Sequence, residues 1–212
     1  MARLTGIQFL LFDLGNVIID IDYEHTIGQL KALLPVEKHE RCASFFPSSF
    51  HKAYERGEIS DAEFRQAVRL HFEENWSDEQ IDTLWNSLLF DIPADRIRLV
   101  KKLKQNFTLG VLSNTNAIHI RAFNAILQEQ HGYENLHELF DYVYFSHELG
   151  LSKPDPKIYQ TVAEKTGFTP EQTFFFDDLE ANIHEAKQVG FQAHQIKDKN
   201  ALTRFFDENL FN

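Results

Sequence analysis

The stretch from Gln8 to Asp20, QFLLFDLGNVIID, constrains this chain more than any other. Phe9 to Phe12 form an unbroken apolar run, the pattern of a short strand buried on both faces of a parallel sheet. The run stops at Asp13, a carboxylate placed where a buried strand leaves its sheet. Gly15 and Asn16 follow, and then apolar Val17, Ile18 and Ile19. In an open α/β sheet, ligands bind at the carboxyl ends of the central strands. An acid there is costly unless a cation or a reaction accounts for it. Asp13 is therefore the candidate catalytic centre.

Four more runs read as strands, over residues 107–112, 142–145, 173–176 and 191–196, with helical patterns over 93–106, 118–130, 156–165 and 182–189 between or beside them. Strands alternating with helices imply an α/β fold built on a doubly wound parallel sheet with right-handed crossovers. Residues 22–90 carry no strand-like run. Tyr23, Ile27, Leu30 and Leu34 recur at helical spacing until Pro35, and a second helix is expected over 39–54 with an interruption near Pro47. Ser60 with Glu63, and Ser77 with Gln80, are capping-box starts for two more. The expected organisation is a core of residues 1–19 and 92–212 with an inserted four-helix cap, residues 20–91. Phe205, Phe206 and Phe211 mark a C-terminal docking helix.

Charge and composition narrow the functions. Lys and Arg number 21 against 32 Asp and Glu, a net charge of −11. Nucleic acids and anionic membranes select basic surfaces, so neither is the expected partner. The cluster Lys101, Lys102 and Lys104 reads as the solvated face of a helix. The single cysteine, Cys42, excludes an intramolecular disulfide and fits a reducing compartment. With no signal peptide and no apolar stretch of membrane-spanning length, a soluble cytoplasmic protein is expected, as a monomer or weak dimer. The ten His show no metal-site spacing, and no nucleophile elbow, Walker loop or dinucleotide fingerprint occurs.

Three polar clusters follow the apolar runs: Asp13, Ser113 with Asn114, and Asp177 with Asp178. Lys153 joins them from the loop after the third strand. A parallel sheet brings all four to one edge. Carboxylates and a backbone carbonyl suit an octahedral Mg²⁺, while a lysine, a hydroxyl and backbone N–H groups suit a phosphate. Taken singly, Asp13 and Ser113 also read as helix caps and Lys153 as a surface loop residue.

In this order and spacing the four clusters resemble the four motifs of the haloacid dehalogenase-like hydrolase superfamily. The helical insert resembles that family's small cap, so the likeness covers the whole chain. FDLGNV, ERGEIS and LSNTN resemble a bacterial branch that includes sugar-1-phosphate phosphatases acting on α-glucose 1-phosphate. The resemblance implies that Asp13 is a nucleophile forming an aspartyl-phosphate on a small phosphorylated metabolite. Leu14, Gly15, Ser113, Asn114 and Lys153 would join it in binding the phosphoryl group, Lys153 also serving catalysis. Asp13, the carbonyl of Gly15 and Asp178 would hold Mg²⁺, supported by Asp177 and Asn182.

The chain departs from that pattern at Gly15, where most phosphatases of the family carry a second Asp that protonates the leaving group. Loss of a general acid or base costs about 10²–10⁴ in rate, least for a good leaving group. Asp20 and Asp22 stand nearby as replacements or as plain turn residues. A 2-haloacid dehalogenase, which needs no such acid, is an alternative. It is disfavoured by the full set of Lys153, Asp177 and Asp178 and by the lack of an arginine just past Asn16. A phosphonate-cleaving enzyme would need a cap lysine, for which only Lys52 is near, and a non-catalytic binding protein is a further reading. In the cap, Tyr54, Glu55 and Arg56 are the candidates for substrate selection, an ordinary helix–helix turn being the other reading.

Overall fold

A computed structural model describes residues 4–211 of the chain, the side chain of Phe211 excepted. Five parallel strands form one sheet in the order β3-β2-β1-β4-β5: β1 Phe9–Phe12, β2 Thr108–Ser113, β3 Tyr142–Phe145, β4 Thr173–Asp177 and β5 Gln192–Gln195. β1 lies at the centre, its Phe12 in register with Val111 of β2 and Phe176 of β4. Because successive side chains of a strand point to opposite faces, the apolar runs divide between two cores. Leu10, Phe12, Phe174 and Phe176 enter one, with Phe205 and Phe206. Phe9, Leu11 and Phe175 enter the other.

The helices that cover these faces are α6 Ala94–Leu103, α7 Ala117–His131, α9 Pro156–Thr166, α10 Glu180–Gln188 and α11 Ala201–Phe206, with a single-turn helix, α8 Ser146–Leu149, directly after β3. α8 has no counterpart among the expected elements, because four residues are too short for an apolar period to register. Phe205 and Phe206 of α11 are buried against Phe174, Phe176 and Phe12, as expected, and the Phe211 side chain lies outside the described residues.

Between β1 and α6 lie five α-helices rather than the expected four, α1 Tyr23–Leu33, α2 Glu40–Ala43, α3 Ser49–Glu55, α4 Asp61–Phe72 and α5 Asp78–Asn86, with a short 3-10 turn, Val36–Lys38, between the first two. The stretch over 39–54 divides into α2 and α3. Pro47 lacks an N–H and biases the preceding residue toward extended backbone, and Ser48 then caps α3 by accepting from the His51 N–H at 3.2 Å. Both expected capping boxes form, Ser60 with Glu63 and Ser77 with Gln80. These helices bury Leu30, Phe45, Phe64, Phe72 and Trp85 in a core of their own, which α7 joins through Ile118. The chain enters and leaves this region along two antiparallel segments, Asp20 N–H donating to the Asp91 carbonyl at 3.1 Å and Phe90 N–H to the Asp20 carbonyl at 2.9 Å. Among the described residues no helix is long and apolar enough to cross a membrane.

Candidate active site

The parallel register brings Asp13, Ser113 and Asp177 to the same edge of the sheet, one at the carboxyl end of each of the three central strands. Lys153 reaches them from the loop before α9. Its ammonium has three donors, and all three are used: the Leu112 carbonyl at 2.8 Å, Asp177 Oδ2 at 2.7 Å and Asp13 Oδ1 at 2.8 Å. Asn114 fixes the backbone behind it, its Nδ2 donating to the Lys153 carbonyl and its Oδ1 accepting from the Lys153 N–H, both at 2.8 Å.

Asp177 is wholly buried and also accepts from the Leu179 N–H at 2.8 Å and from Asn182 Nδ2 at 2.9 and 3.0 Å. Asn182 is held in turn by Tyr159, whose hydroxyl donates to its carbonyl. Asp178 turns the other way and accepts from Asn16 Nδ2 at 3.0 Å. Asn16 adopts a left-handed backbone, φ 55°, and its Oδ1 accepts from the Ile21 N–H, so one side chain orders both the loop after Asp13 and Asp178. Sequence reasoning missed Asn16. Its signal was an Asn directly after Gly15, a pairing suited to a left-handed turn.

Ligand oxygens of Asp13, Asp177 and Asp178 all lie within 4.8 Å of one another. Burial pushes the Asp13 carboxyl up to about 7; Lys153 opposes this, and the charges of Asp177 and Asp178 add to it. Burial raises Asp178 as well. For Lys153, burial is outweighed by the charges of Asp13 and Asp177, which hold the ammonium above its ordinary range. Three carboxylates against one ammonium leave a surplus of negative charge. With the carbonyl of Gly15 nearby in the chain, this is an all-oxygen donor set of the kind a hard divalent cation takes.

Beside the cluster lies a small cavity of about 60 Å³, lined by Leu14, Gly15, Ser113 and Asn114 on the sheet side and by Tyr23, His51 and Glu55 on the helical side. Two of the three expected selection residues do not reach it. The Tyr54 hydroxyl is buried, donates to Asp61 at 2.6 Å and accepts from the Ile118 N–H; Arg56 pairs with Glu58 at 2.6 Å on the surface. Consecutive helical residues diverge by about 100°, so only one of the three can face a given point. Glu55 is that residue, with His51 one turn before it. Asp20 and Asp22 are also committed elsewhere, Asp20 to Arg96 and Lys199 at 2.8 Å each and Asp22 to capping α1. At Gly15 an added Cβ would lie 2.8 Å from Ile21 Cδ1, so an apolar side chain occupies the start of the space an acid there would use.

An Asp after the central strand, a buried lysine and an acid pair thus meet at one edge of the parallel sheet, an arrangement suited to a divalent cation and a phosphoryl group. Residues 7–190 match the family model of the haloacid dehalogenase-like hydrolases, and the chain belongs to that family. Among curated proteins it is similar to D-ribitol-5-phosphate phosphatase of Bacteroides thetaiotaomicron, 25% identical over 189 residues, covering 89% of this chain and 91% of that protein. It is also similar to glyceraldehyde 3-phosphate phosphatase of Pyrococcus furiosus, 23% identical over 206 residues and covering 90% and 81%. Among solved structures, a haloacid dehalogenase family enzyme from Bacteroides thetaiotaomicron, in complex with magnesium and inorganic phosphate, superposes with a TM-score of 0.81. That enzyme is 34% identical, and the match covers 90% of this chain and 94% of that one.

Proposed function

We propose that this chain is a Mg²⁺-dependent phosphatase of a small phosphorylated sugar or polyol, α-glucose 1-phosphate among the substrates to test first. The observation that carries the reading is the position of Lys153, bonded to Asp13 and Asp177 with Asp178 beside them. A dehalogenase attacking carbon has no use for so concentrated a set of acids. Relatives named for phosphorylated polyols and trioses, and a similar enzyme holding magnesium and phosphate, support the substrate class and the ion.

In this reading Asp13 attacks phosphorus, the bond to the leaving oxygen breaks, and an aspartyl-phosphate forms; water then attacks phosphorus and releases phosphate. Lys153, Ser113 and the backbone N–H groups around Leu14, Gly15 and Asn114 bind the phosphoryl oxygens. Lys153 gives up a bond to Asp13 or Asp177 as it does so, because all its donors are engaged. Asp13, Asp178 and the Gly15 carbonyl hold Mg²⁺, which when bound supplies the positive charge that lets a carboxylate approach a phosphate. Asp177 and Asn182 keep Lys153 in place. Residues 20–91 act as a cap that closes on residues 1–19 and 92–212 to exclude water. The protein acts in the cytoplasm as a monomer or weak dimer.

The test offers the purified protein a panel of phosphate esters, sugar 1-phosphates and polyol phosphates included, with Mg²⁺ and with chelator. Metal-dependent phosphate release that Asp13→Asn lowers by about 10⁴-fold or more is expected. Absence of release from every ester, or chloride release from 2-haloacids, overturns the reading.

A further inference from the structure

Hydrolysis of an alkyl phosphate calls for a group that protonates the departing oxygen, and the loop after Asp13 supplies none: Gly15 has no side chain, and Asp20 and Asp22 are engaged in an ion pair and a helix cap. The cavity over Gly15 has titratable side chains on its helical side: Tyr23, His51, Glu55 and His119. His119 is occupied, its Nε2 bonded to the Trp85 carbonyl and its Nδ1 to Asn116 Nδ2. Tyr23 is 47% exposed, and its ring packs edge-on against Phe46.

His51 and Glu55 differ from both. They stand one helical turn apart on α3, with Nε2 3.3 Å from Glu55 Oε1. The other ring nitrogen, Nδ1, is bonded to the Phe46 carbonyl. A carbonyl only accepts, so Nδ1 carries its hydrogen. Nε2 is then the nitrogen that meets Glu55, and a hydrogen carried on it bridges the 3.3 Å to Oε1, so that one mobile proton lies between the two side chains.

The other charged groups facing the pair are Lys52 on the same helix, Tyr23 from α1 and His119 from α7; across the cavity, Asp13 and Asp178 act on Tyr23 along with Glu55. Burial weakens the hold of His51 on a second proton, but the hydrogen bond and charge of Glu55 outweigh it and keep the ring above its usual range. The far end of α3 is stapled to the sheet edge by Ser146 Oγ, which accepts from the Thr115 N–H at 2.9 Å and donates to the Glu55 carbonyl at 2.5 Å.

We infer that the His51–Glu55 pair is the proton donor and acceptor of the reaction, supplied by the helical region where the loop after Asp13 has none. This rests on the phosphatase reading. As Asp13 forms its bond to phosphorus and the P–O bond to the leaving group breaks, the proton between Nε2 and Oε1 passes to the leaving oxygen, releasing a neutral alcohol. As water attacks the aspartyl-phosphate, its proton returns to the pair, the bond from phosphorus to Asp13 breaks, and phosphate departs with the site restored.

The experiment compares wild type, Glu55→Gln and His51→Gln on two substrates, a polyol or sugar phosphate and p-nitrophenyl phosphate, whose phenolate leaves without protonation. Each variant is expected to lose about 10²-fold or more in kcat/KM on the alkyl ester and less than about tenfold in kcat/KM on the aryl ester, because kcat/KM reports departure of the leaving group and not the later attack of water that both esters share. The aryl ester shows that the variant is folded and that Asp13 is intact; should Glu55→Gln not fold, Glu55→Asp is read in its place. Equal losses on both substrates, or no loss on either, overturn the inference while leaving the phosphatase reading standing. Absence of release by wild type from both substrates overturns the phosphatase reading and this inference with it.

Discussion

Lys153 Nζ lies 2.7 Å from Asp177 Oδ2, and both side chains are withdrawn from water almost completely. Asp177 keeps two other sources of hydrogen bonds, the Leu179 N–H and Asn182, whereas Asp13 depends on Lys153 for its neutralising charge. Lys153→Met should therefore cost more than Asp177→Asn, because it leaves two carboxylates without their cation. A loss of about 3–5 kcal/mol is expected for Lys153→Met, measured by urea unfolding with chelator present. A cost at or below that of Asp177→Asn would show that the lysine is not what holds these acids together.

The surplus of negative charge predicts a stabilising response to Mg²⁺ independent of turnover. At a concentration 100 times the dissociation constant, binding to the folded state alone contributes about 2.7 kcal/mol, read as a rise in melting temperature. Asp178→Asn should remove most of that rise. Asp198→Asn, at an exposed pair with Arg204, should leave it unchanged. Equal responses in the two variants would place the ion elsewhere.

Trp85 stacks on His119 with ring centroids 4.6 Å apart, and the ring is buried. Burial drives His119 down to about 4 from 6.5, with the Trp85 carbonyl opposing and His51 adding to it. The sign follows from the proton count. Between pH 6.5 and about 4 the unfolded chain binds the proton more readily, so this stability is complete above pH 6.5 and is lost as pH falls toward 4. The gap corresponds to about 3 kcal/mol. Comparing unfolding free energies of wild type and His119→Gln across this window isolates the contribution; parallel curves would refute it.

Gly57 has φ 67°, and a Cβ on it would lie 2.1 Å from the His147 carbonyl oxygen of α8. That oxygen is backbone and cannot swing aside. Gly57→Ala should cost at least about 1–2 kcal/mol from the left-handed backbone alone. It should also push the end of α3 away from Ser146, lowering kcat/KM on esters. The Mg²⁺-induced rise in melting temperature should be retained, since the acid cluster is distant in the chain from this contact. A variant that matched wild type in kcat/KM would mean that seating α3 on α8 has no bearing on the site.

Asp13, Ser113 with Asn114, and Asp177 with Asp178 were legible because each follows an apolar run, and Lys153 because it stands in the loop after the third such run. A parallel sheet carries every such interruption to the same edge. The same logic exposed the helical region, whose start signals at Ser60 and Ser77 are local hydrogen-bonding patterns. Tyr54 and Arg56 were misplaced because the turn ERGE shows that a loop faces somewhere without showing which side chain does. The phase of α3 against the sheet is set by distant contacts, Ser146 to Glu55 and Gly57 to His147.

The amino-acid sequence by itself determined the strands, the helical caps and the identity of the acids and lysine that meet at the sheet edge, because burial and local hydrogen bonding act over a few residues. Only the tertiary structure decided the strand order, the engagement of all three Lys153 donors, the filling of the space beside Gly15 by Ile21, and the turning of His51 and Glu55 toward the cavity. These depend on side chains tens of residues apart packing into one volume, and no local pattern encodes which of them will touch.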